Sequence, residues 1–401
     1  MSYQCLDKDR EIHLRRDSEG ILPDINHIIF DFDGVLVSTS QSYRQTIRRV
    51  VDYYFLDILG LEGKEGKLVT LEDIQGFKDT GLYNDDWNLT STLTKYYLAL
   101  LMKKLEKKGV LEVFVERFSE INFQDVTSFL TPLEEVGSFL RSHGLDAIEL
   151  VNMKNNSGLS LDSLMVHVKS KNQTDLDSYI QKSLPQIGSE QHALISRLVP
   201  FDLTEPDLLK RLFEEVYLGA ELFERFYNVP SIFNFQESYI DKEVFIPKKN
   251  TLDTLYSQFG KFGIYSEKPK RQGIYLLKRD NLTEYFDEEI CIFREDLLNS
   301  EKNSPKDEIT SLGKPNPELF IKLMKKLRGR VAYVGDGIAD VLLVEKTRLR
   351  GVSTIMFFGT LSSSQSPDRL LLQFRDHMAD AVMMDVNDIP HISYKLGEDL
   401  K

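Results

Sequence analysis

Hydrophobic positions follow two different rhythms along this chain. Ile28, Ile29 and Phe30 form a short continuous apolar run that stops at Asp31, the pattern of a strand buried on both faces whose carboxyl end meets solvent. Directly after it, Tyr43, Ile47, Val50, Val51 and Tyr54 recur at helical spacing. From about residue 60 to 250 helical patterns dominate. Leu93, Tyr96, Tyr97, Leu100, Leu101 and Leu105 make one stripe, with Gly109 as its C-terminal stop, and Leu208, Leu209, Leu212, Phe213, Val216 and Tyr217 make a second. Between them, residues 152–190 are rich in Ser, Asn, Gln and Lys, including Asn155-Asn156-Ser157-Gly158, and read as a surface loop or an added subdomain. After Asn250 the alternation returns, with strands expected at 262–265, 290–293, 331–334 and 352–357 and helices between them. No repeat of fixed period is present, which sets solenoids and propellers aside. The alternation predicts an α/β fold, a doubly wound parallel sheet with right-handed crossovers, in which ligands sit at the carboxyl ends of the strands.

Length and composition narrow this picture. The 401 residues exceed the usual size of one core, so two domains, or one core with a large insertion, are expected. Hydrophobic residues at 41% and charged residues at 28% suit a folded, soluble protein. A formal net charge of -13, with no dense basic stripe, speaks against nucleic acid as a partner. Cys5 and Cys291 are far apart and form no CxxC pair, so neither a disulfide framework nor a thiolate metal site is expected, and a reducing cytoplasm fits best. His13, His27, His143, His167, His192, His377 and His391 are scattered without the spacing of a zinc site. The charged start, Asp7 to Arg15, carries no signal-peptide pattern, and nowhere do about 18 apolar residues run together, so no membrane association is expected.

Candidate chemistry falls at the strand ends. Asp31 and Asp33 flank Phe32 and precede Gly34, which permits a tight turn and close ligand approach. The same spacing recurs at Asp7/Asp9 and Asp175/Asp177, so it is the strand before and the glycine after that single out the first pair. In Tyr333-Val334-Gly335-Asp336-Gly337-Ile338-Ala339-Asp340 a strand stops at Gly335 and a helix starts near Ile338, which puts Asp336 at the strand end and Asp340 one turn on. Asp336 could equally cap that helix. Several carboxylates in one pocket repel each other unless a divalent cation holds them ionised, and hard oxygen ligands beside phosphate suit Mg2+. Lys314 stands just before Pro315-Asn316-Pro317-Glu318, which opens a helix with Asn316 as N-cap and Pro317 as first residue; a lone lysine is otherwise an ordinary surface charge. Ser266 follows the apolar run Phe262-Gly263-Ile264-Tyr265, where its hydroxyl could donate to phosphate or simply form a turn.

The ordered set Asp31-x-Asp33, Ser266, Lys314 and Gly335-Asp336 with Asp340 resembles the four motifs of the haloacid dehalogenase superfamily. Within it the chain is similar to the phosphoglycolate phosphatase-like members of subfamily IA, which insert a helical cap after the first motif. Val37-Ser38-Thr39-Ser40-Gln41-Ser42-Tyr43-Arg44 and Phe77-Lys78-Asp79-Thr80-Gly81-Leu82-Tyr83-Asn84-Asp85-Asp86-Trp87 resemble one branch of that group more closely. The resemblance implies a Rossmann-like core with an enlarged, mainly helical cap: an N-terminal arm at 1–26, core at 27–41, cap at 42–248 with an extra insertion near 150–200, and core again at 249–401.

It also implies a Mg2+-dependent phosphatase acting on a small phosphorylated metabolite. Asp31 would attack phosphorus and form an aspartyl-phosphate, and Asp33 would act as acid and then as base. Asp31, Asp336 and the carbonyl of Asp33 would hold the ion, Lys314 and Ser266 the phosphate, with Asp340 in support. Lys78, Asn84, Asp86, Trp87 and Arg44 are the cap-side candidates for substrate contact, although Trp87 and Leu89 could anchor the cap's own core, Thr90 could cap its helix and Arg44 could face solvent. Alternatives are a phosphomutase on a sugar phosphate and a catalytically silent binding or regulatory protein of the same fold. Asp33 and Asp336 argue against a dehalogenase proper. The large cap offers surface for a homo-oligomer.

Overall fold

The computed structural model describes residues 2–7, 10–78, 80, 82–83, 85–121, 127–156, 159–171, 176–183, 188–199, 208–297, 313–364 and 366–392. The chain divides into two compact units, one made of Met1–Thr39 with Glu243–Lys401, the other of Ser40–Lys242.

Among the described residues, the first unit is built on ten strands: β1 Tyr3–Asp7, β2 Ile12–Arg15, β3 Ile25–Phe30, β4 Val37–Ser38, β5 Val244–Phe245, β6 Phe262–Tyr265, β7 Phe286–Ile292, β8 Arg330–Gly335, β9 Ile355–Thr360 and β10 Ala381–Met383. Eight of them form one sheet in the order β1-β2-β10-β9-β8-β3-β6-β7, and β4 and β5 form a separate antiparallel ribbon. From β10 to β7 every pairing is parallel. The chain leaves β3 to build β6 and β7 on one side and then crosses to build β8, β9 and β10 on the other. The strand order therefore reverses at β3, the point where doubly wound sheets bind ligands.

Burial explains why the central strands are legible as continuous apolar runs. Ile29, Tyr333 and Phe357 join Phe320, Val344 and Phe374 in one core, under the helices Glu318–Met324, Ile338–Leu349 and Pro367–Asp376. Phe30, pointing the other way, packs edge-on against Phe262, which also meets Tyr256 of the helix Lys249–Phe259. With both faces covered, no solvated face imposes alternation. β7 starts four residues before the predicted strand at 290, because as an edge strand it tolerates the half-exposed or exposed Asp287, Glu288 and Glu289. β9 runs three residues beyond the predicted end at 357.

Within the stretch expected as an N-terminal arm, β1 and β2 belong to this sheet. β1 and β2 form an antiparallel hairpin, and β2 pairs antiparallel with β10. The alternation in Ile12-His13-Leu14-Arg15 buries Ile12 and Leu14 while leaving the polar pair half-buried. That signal is short and sits among charges, which is why it reads poorly in sequence. The hairpin is fastened by Asp380, a buried carboxylate that accepts from Arg15 Nη2 at 2.6 Å, Ser18 Oγ at 2.6 Å, the Phe357 amide at 2.8 Å and Arg348 Nη2.

The second unit is helical. Among the described residues its longest helix, Asp86–Lys107, buries residues on most of its circumference, including Leu89, Leu93, Tyr96, Tyr97, Leu100, Leu101 and Leu105. Asp85 caps it, its side chain accepting from the Asn88 amide at 3.0 Å. Thr90 does not serve as the cap; its hydroxyl donates to the Asp86 carbonyl at 2.7 Å, one turn inside the helix. Gly109 follows the end in the left-handed region at φ 71°. The second stripe belongs to a helix that runs on to Tyr227 across a break at Gly219. Much of the polar stretch 152–190 that is described is helical, within helices Ala147–Asn156, Leu161–Lys171, Leu176–Ser183 and the start of Ser189–Leu198. Leu161, Leu164 and Val168 supply a thin apolar stripe that the polar composition conceals. Among the described residues, no helix is long and apolar enough to cross a membrane.

Asp380→Ala should destabilise the protein by about 3–5 kcal/mol, since it strands Arg15 and Arg348 beside an emptied buried acceptor. Urea unfolding measures this; a change below about 1 kcal/mol would remove Asp380 as the fastening of the hairpin.

Candidate active site at the strand ends

Register brings the motif residues together. Phe30 is paired with Val334 on one side and Ile264 on the other, so Asp31 leaves the sheet level with Gly335 and Tyr265. Its amide still donates to the Val334 carbonyl at 2.8 Å, which ties the first residue beyond β3 to β8. Ser266 likewise donates its amide to Ile292 at 3.0 Å. Three neighbouring strands thus end at one level, and each delivers its next residue to the same rim.

Gly34 completes the turn that follows. It adopts φ +77°, and a Cβ on it would lie 1.8 Å from Asp336 Oδ2, so a side chain is excluded both by conformation and by space. The Gly34 amide donates to Val37 at 2.8 Å, closing the loop over Phe32.

The carboxylates of Asp31, Asp336 and Asp340 offer oxygens that all lie within 4.8 Å of one another. Lys314 Nζ stands among them, 2.7 Å from Asp31 Oδ2 and 2.8 Å from Asp340 Oδ1. Asp340 is otherwise engaged with the protein, accepting from Tyr333 Oη at 2.8 Å and from the Gly337 amide at 3.0 Å. It therefore holds Lys314 and fixes the start of the helix Ile338–Leu349. Asp336 accepts from Ser363 Oγ at 2.6 Å. The carboxylate bonded to the backbone amide at the helix start is that of Asp340, while Asp336 lies beside Asp31 and Asp340.

Burial pushes the Asp31 carboxyl well above the ordinary carboxylate range; Lys314 pulls it down, and Asp340 and Asp336 push it up again. Asp336 is pushed up from an ordinary 3.8 to about 6, by burial first and by Asp340 second. Burial disfavours the Lys314 ammonium, but Asp31, Asp340 and Glu267 outweigh it and raise its pKa above that of a free lysine. One cation thus faces three carboxylates, an excess of negative charge with hard oxygen donors in reach of a divalent ion.

Lys314 is positioned by its backbone as well, its amide donating to Glu267 Oε1 at 3.0 Å. The helix after it is Glu318–Met324, starting one residue later than expected, with the Asn316 side chain accepting from the Glu318 amide at 3.0 Å. Ser266 is buried at the end of β6, where its hydroxyl accepts the Lys268 amide at 3.3 Å.

Two residues here escape the sequence reading. Lys268 Nζ lies 2.9 Å from Asp33 Oδ1 and 3.1 Å from Glu243 Oε2, and the side chains of Lys268 and Glu243 are both 0% exposed. Lys268 is two residues past Ser266, a position that a reading focused on strand ends could have tested. Glu243 has no such signal, being 25 residues away in a polar stretch.

The cap-side candidates have partners within the helical unit. Lys78 Nζ pairs with Asp86 Oδ1 at 2.7 Å. Trp87 donates from Nε1 to Glu214 at 3.0 Å, packs edge-on to Phe213 and carries Lys210 Nζ 4.7 Å from its ring centroid. Arg44 is half-buried near the start of the helix Tyr43–Asp52, and Asn84 lies outside the described residues.

No family model matches the chain, and no curated protein matches it. Among solved structures it is similar to a target of the Northeast Structural Genomics Consortium, with 19% identity over 93% of this chain and 100% of that one and a TM-score of 0.64. More distantly it is similar to Phosphatase Tt82 from Thermococcus thioreducens, at 18% identity over 82% and 90% of the two chains with a TM-score of 0.42. A predicted phosphoglycolate phosphatase from Haemophilus somnus 129pt gives 13% identity over 92% and 98%, with a TM-score of 0.39. The similarity to the first of these is one of fold: a parallel sheet that reverses its strand order at β3, with the helical unit inserted in the chain between β4 and β5.

Proposed function

We propose that this protein is a magnesium-dependent phosphatase that hydrolyses a small phosphorylated metabolite through an aspartyl-phosphate on Asp31. The observation that carries this reading is the pairing of Asp31 with Lys314 at 2.7 Å inside the carboxylate cluster, with Asp33 two residues further along the loop. A carboxylate oxygen at a sheet end, beside a buried ammonium, is suited to attack phosphorus while the cation neutralises the oxygens of the transferring group.

Asp31 and Asp336, with the carbonyl of Asp33, are the groups that would hold magnesium. The ion would supply charge neutralisation of the carboxylates and of phosphate. The chain's own residues carry the proton and bond changes. An oxygen of Asp31 bonds to phosphorus as the bond to the substrate's alkoxide breaks, and Asp33 delivers the proton that this alkoxide takes up. Asp33, now ionised, accepts a proton from water, whose oxygen attacks the phosphorus. The Asp31–phosphorus bond then breaks, returning the Asp31 carboxylate and inorganic phosphate. Lys314 balances charge throughout, anchored by Asp340.

Turnover of p-nitrophenyl phosphate and of a panel of small phosphomonoesters should need Mg2+ and stop with EDTA. Asp31→Asn should lower kcat/KM on the order of a thousand-fold or more, and Asp33→Asn should lower kcat on the order of a thousand-fold while the fold is kept. Inorganic phosphate should appear mole for mole with substrate loss, which separates hydrolysis from phosphomutase chemistry. Wild-type rates in Asp31→Asn would overturn the reading.

A second expectation follows from the raised carboxyls. A folded pKa of about 6 against an ordinary 3.8 means that the metal-free fold holds this proton more tightly than the unfolded chain. Its stabilising contribution is present below the ordinary value and is lost as pH rises to about 6. Bound Mg2+ removes that loss by favouring the ionised form. The rise in Tm on adding Mg2+ should therefore be larger at about pH 7.5 than at about pH 5. An equal rise at both would detach magnesium from these carboxylates.

A third concerns Gly34. Gly34→Ala should displace Asp336 and weaken Mg2+ activation on the order of tenfold or more, read from the metal dependence of the rate. Unchanged activation would show that the close approach has no bearing on the ion.

A further inference from the structure

The hydrolytic steps above leave Lys268 and Glu243 unassigned, although burying an ion pair with no exposed surface is costly unless its geometry is well satisfied. Both are held from several directions. The Lys268 amide donates to Ser266 Oγ at 3.3 Å, and its carbonyl accepts from the Arg294 amide at 3.2 Å. Its ammonium reaches both oxygens of Glu243, at 3.4 and 3.1 Å, and lies 5.6 Å from the centroid of the Phe32 ring. The Glu243 carbonyl accepts from Arg279 Nη2 at 2.6 Å, and Glu243 directly precedes β5, whose ribbon partner β4 follows the Asp33 loop.

Asp33 differs from this pair in exposure. Its side chain is 30% exposed, and Lys268 Nζ, at 2.9 Å from Oδ1, is the side-chain group that anchors it among the described residues. Without that anchor a carboxyl at a loop has other rotamers open to it. A proton donor and acceptor works only within hydrogen-bond reach of its target, and a misplacement of about 1 Å costs on the order of a hundred-fold in rate.

We propose that the buried Lys268–Glu243 pair is a positioning device for Asp33, fixing one carboxyl oxygen so that the other faces the reacting atoms. This rests on the phosphatase reading above. Glu243 offsets the charge of Lys268, so the ammonium can be kept in the interior as a fixed donor.

Rapid mixing with p-nitrophenyl phosphate and Mg2+ tests it. Nitrophenolate leaves without a proton, so phosphorylation of Asp31 does not need Asp33, whereas hydrolysis of the aspartyl-phosphate does. The double variant Lys268→Met/Glu243→Gln, which strands no buried charge, should release about one nitrophenolate per site in a fast burst and then turn over on the order of a hundred-fold more slowly than wild type. KM for Mg2+ should stay within about threefold. Lys268→Arg, which keeps the charge and so the fold, should recover about tenfold of the lost kcat. Wild-type turnover in the double variant, or burst and turnover falling together, would overturn the positioning role. Should the double variant not fold, Lys268→Arg decides alone: a small loss confined to the second half-reaction supports the role, and an equal loss in both overturns it. A wild-type protein that is inactive on every phosphomonoester, and that takes up no beryllium fluoride at Asp31, would instead overturn the phosphatase reading.

Discussion

Excess negative charge at the end of the parallel sheet is the constraint on which the rest of the site depends. Asp31, Asp336 and Asp340 bring oxygens within 4.8 Å of one another, and Lys314 stands between two of them. Two like charges about 4 Å apart in a protein interior repel by about 4 kcal/mol at an effective dielectric near 20. A fold does not gather such groups for its own stability. The raised carboxyls of Asp31 and Asp336 are the direct expression of that tension, and a bound cation or phosphate oxygens beside Lys314 would relieve it.

What permits the gathering is the backbone. β3, β6 and β8 stop at one level because their registers align Phe30 with both Ile264 and Val334. Each strand then passes its next polar residue to the same rim. Gly34 removes the one side chain that would occupy the space of Asp336, and Tyr333, inside β8, reaches back to hold Asp340. Core and chemistry are therefore coupled through single residues: the same strand that buries Tyr333 against Phe320 and Phe357 also orients the anchor of Lys314.

Two buried carboxylates elsewhere in this protein are matched locally. Asp380 meets Arg15, Arg348, Ser18 and a backbone amide, and in the helical unit Glu215 meets Arg211, Ser231 and the amides of Ile232 and Phe233. Those carboxylates are matched by donors and fasten segments together. Lys268 with Glu243 is matched in the same way yet keeps one direction for Asp33, which makes it the place where structural and chemical uses of a buried charge meet.

By itself the sequence determined the central strands, the helical stripes and the placement of Asp31, Ser266 and Asp336 just past strand ends, because each depends on local pattern: an apolar run, a period, a glycine. It did not disclose the N-terminal hairpin, whose short alternation acquires meaning only beside β10, or the helices within 152–190, whose thin apolar stripe is outnumbered by polar residues. Nor did it reveal that Asp340 anchors Lys314, or that Lys268 and Glu243 stand behind Asp33. Those facts depend on contacts between residues as far apart as 235 positions, as for Lys268 and Asp33, and burial there is a property of the packed core. Local periodicity encodes which face a residue turns inward; which charged partner waits on the other side is decided only when distant strands come together.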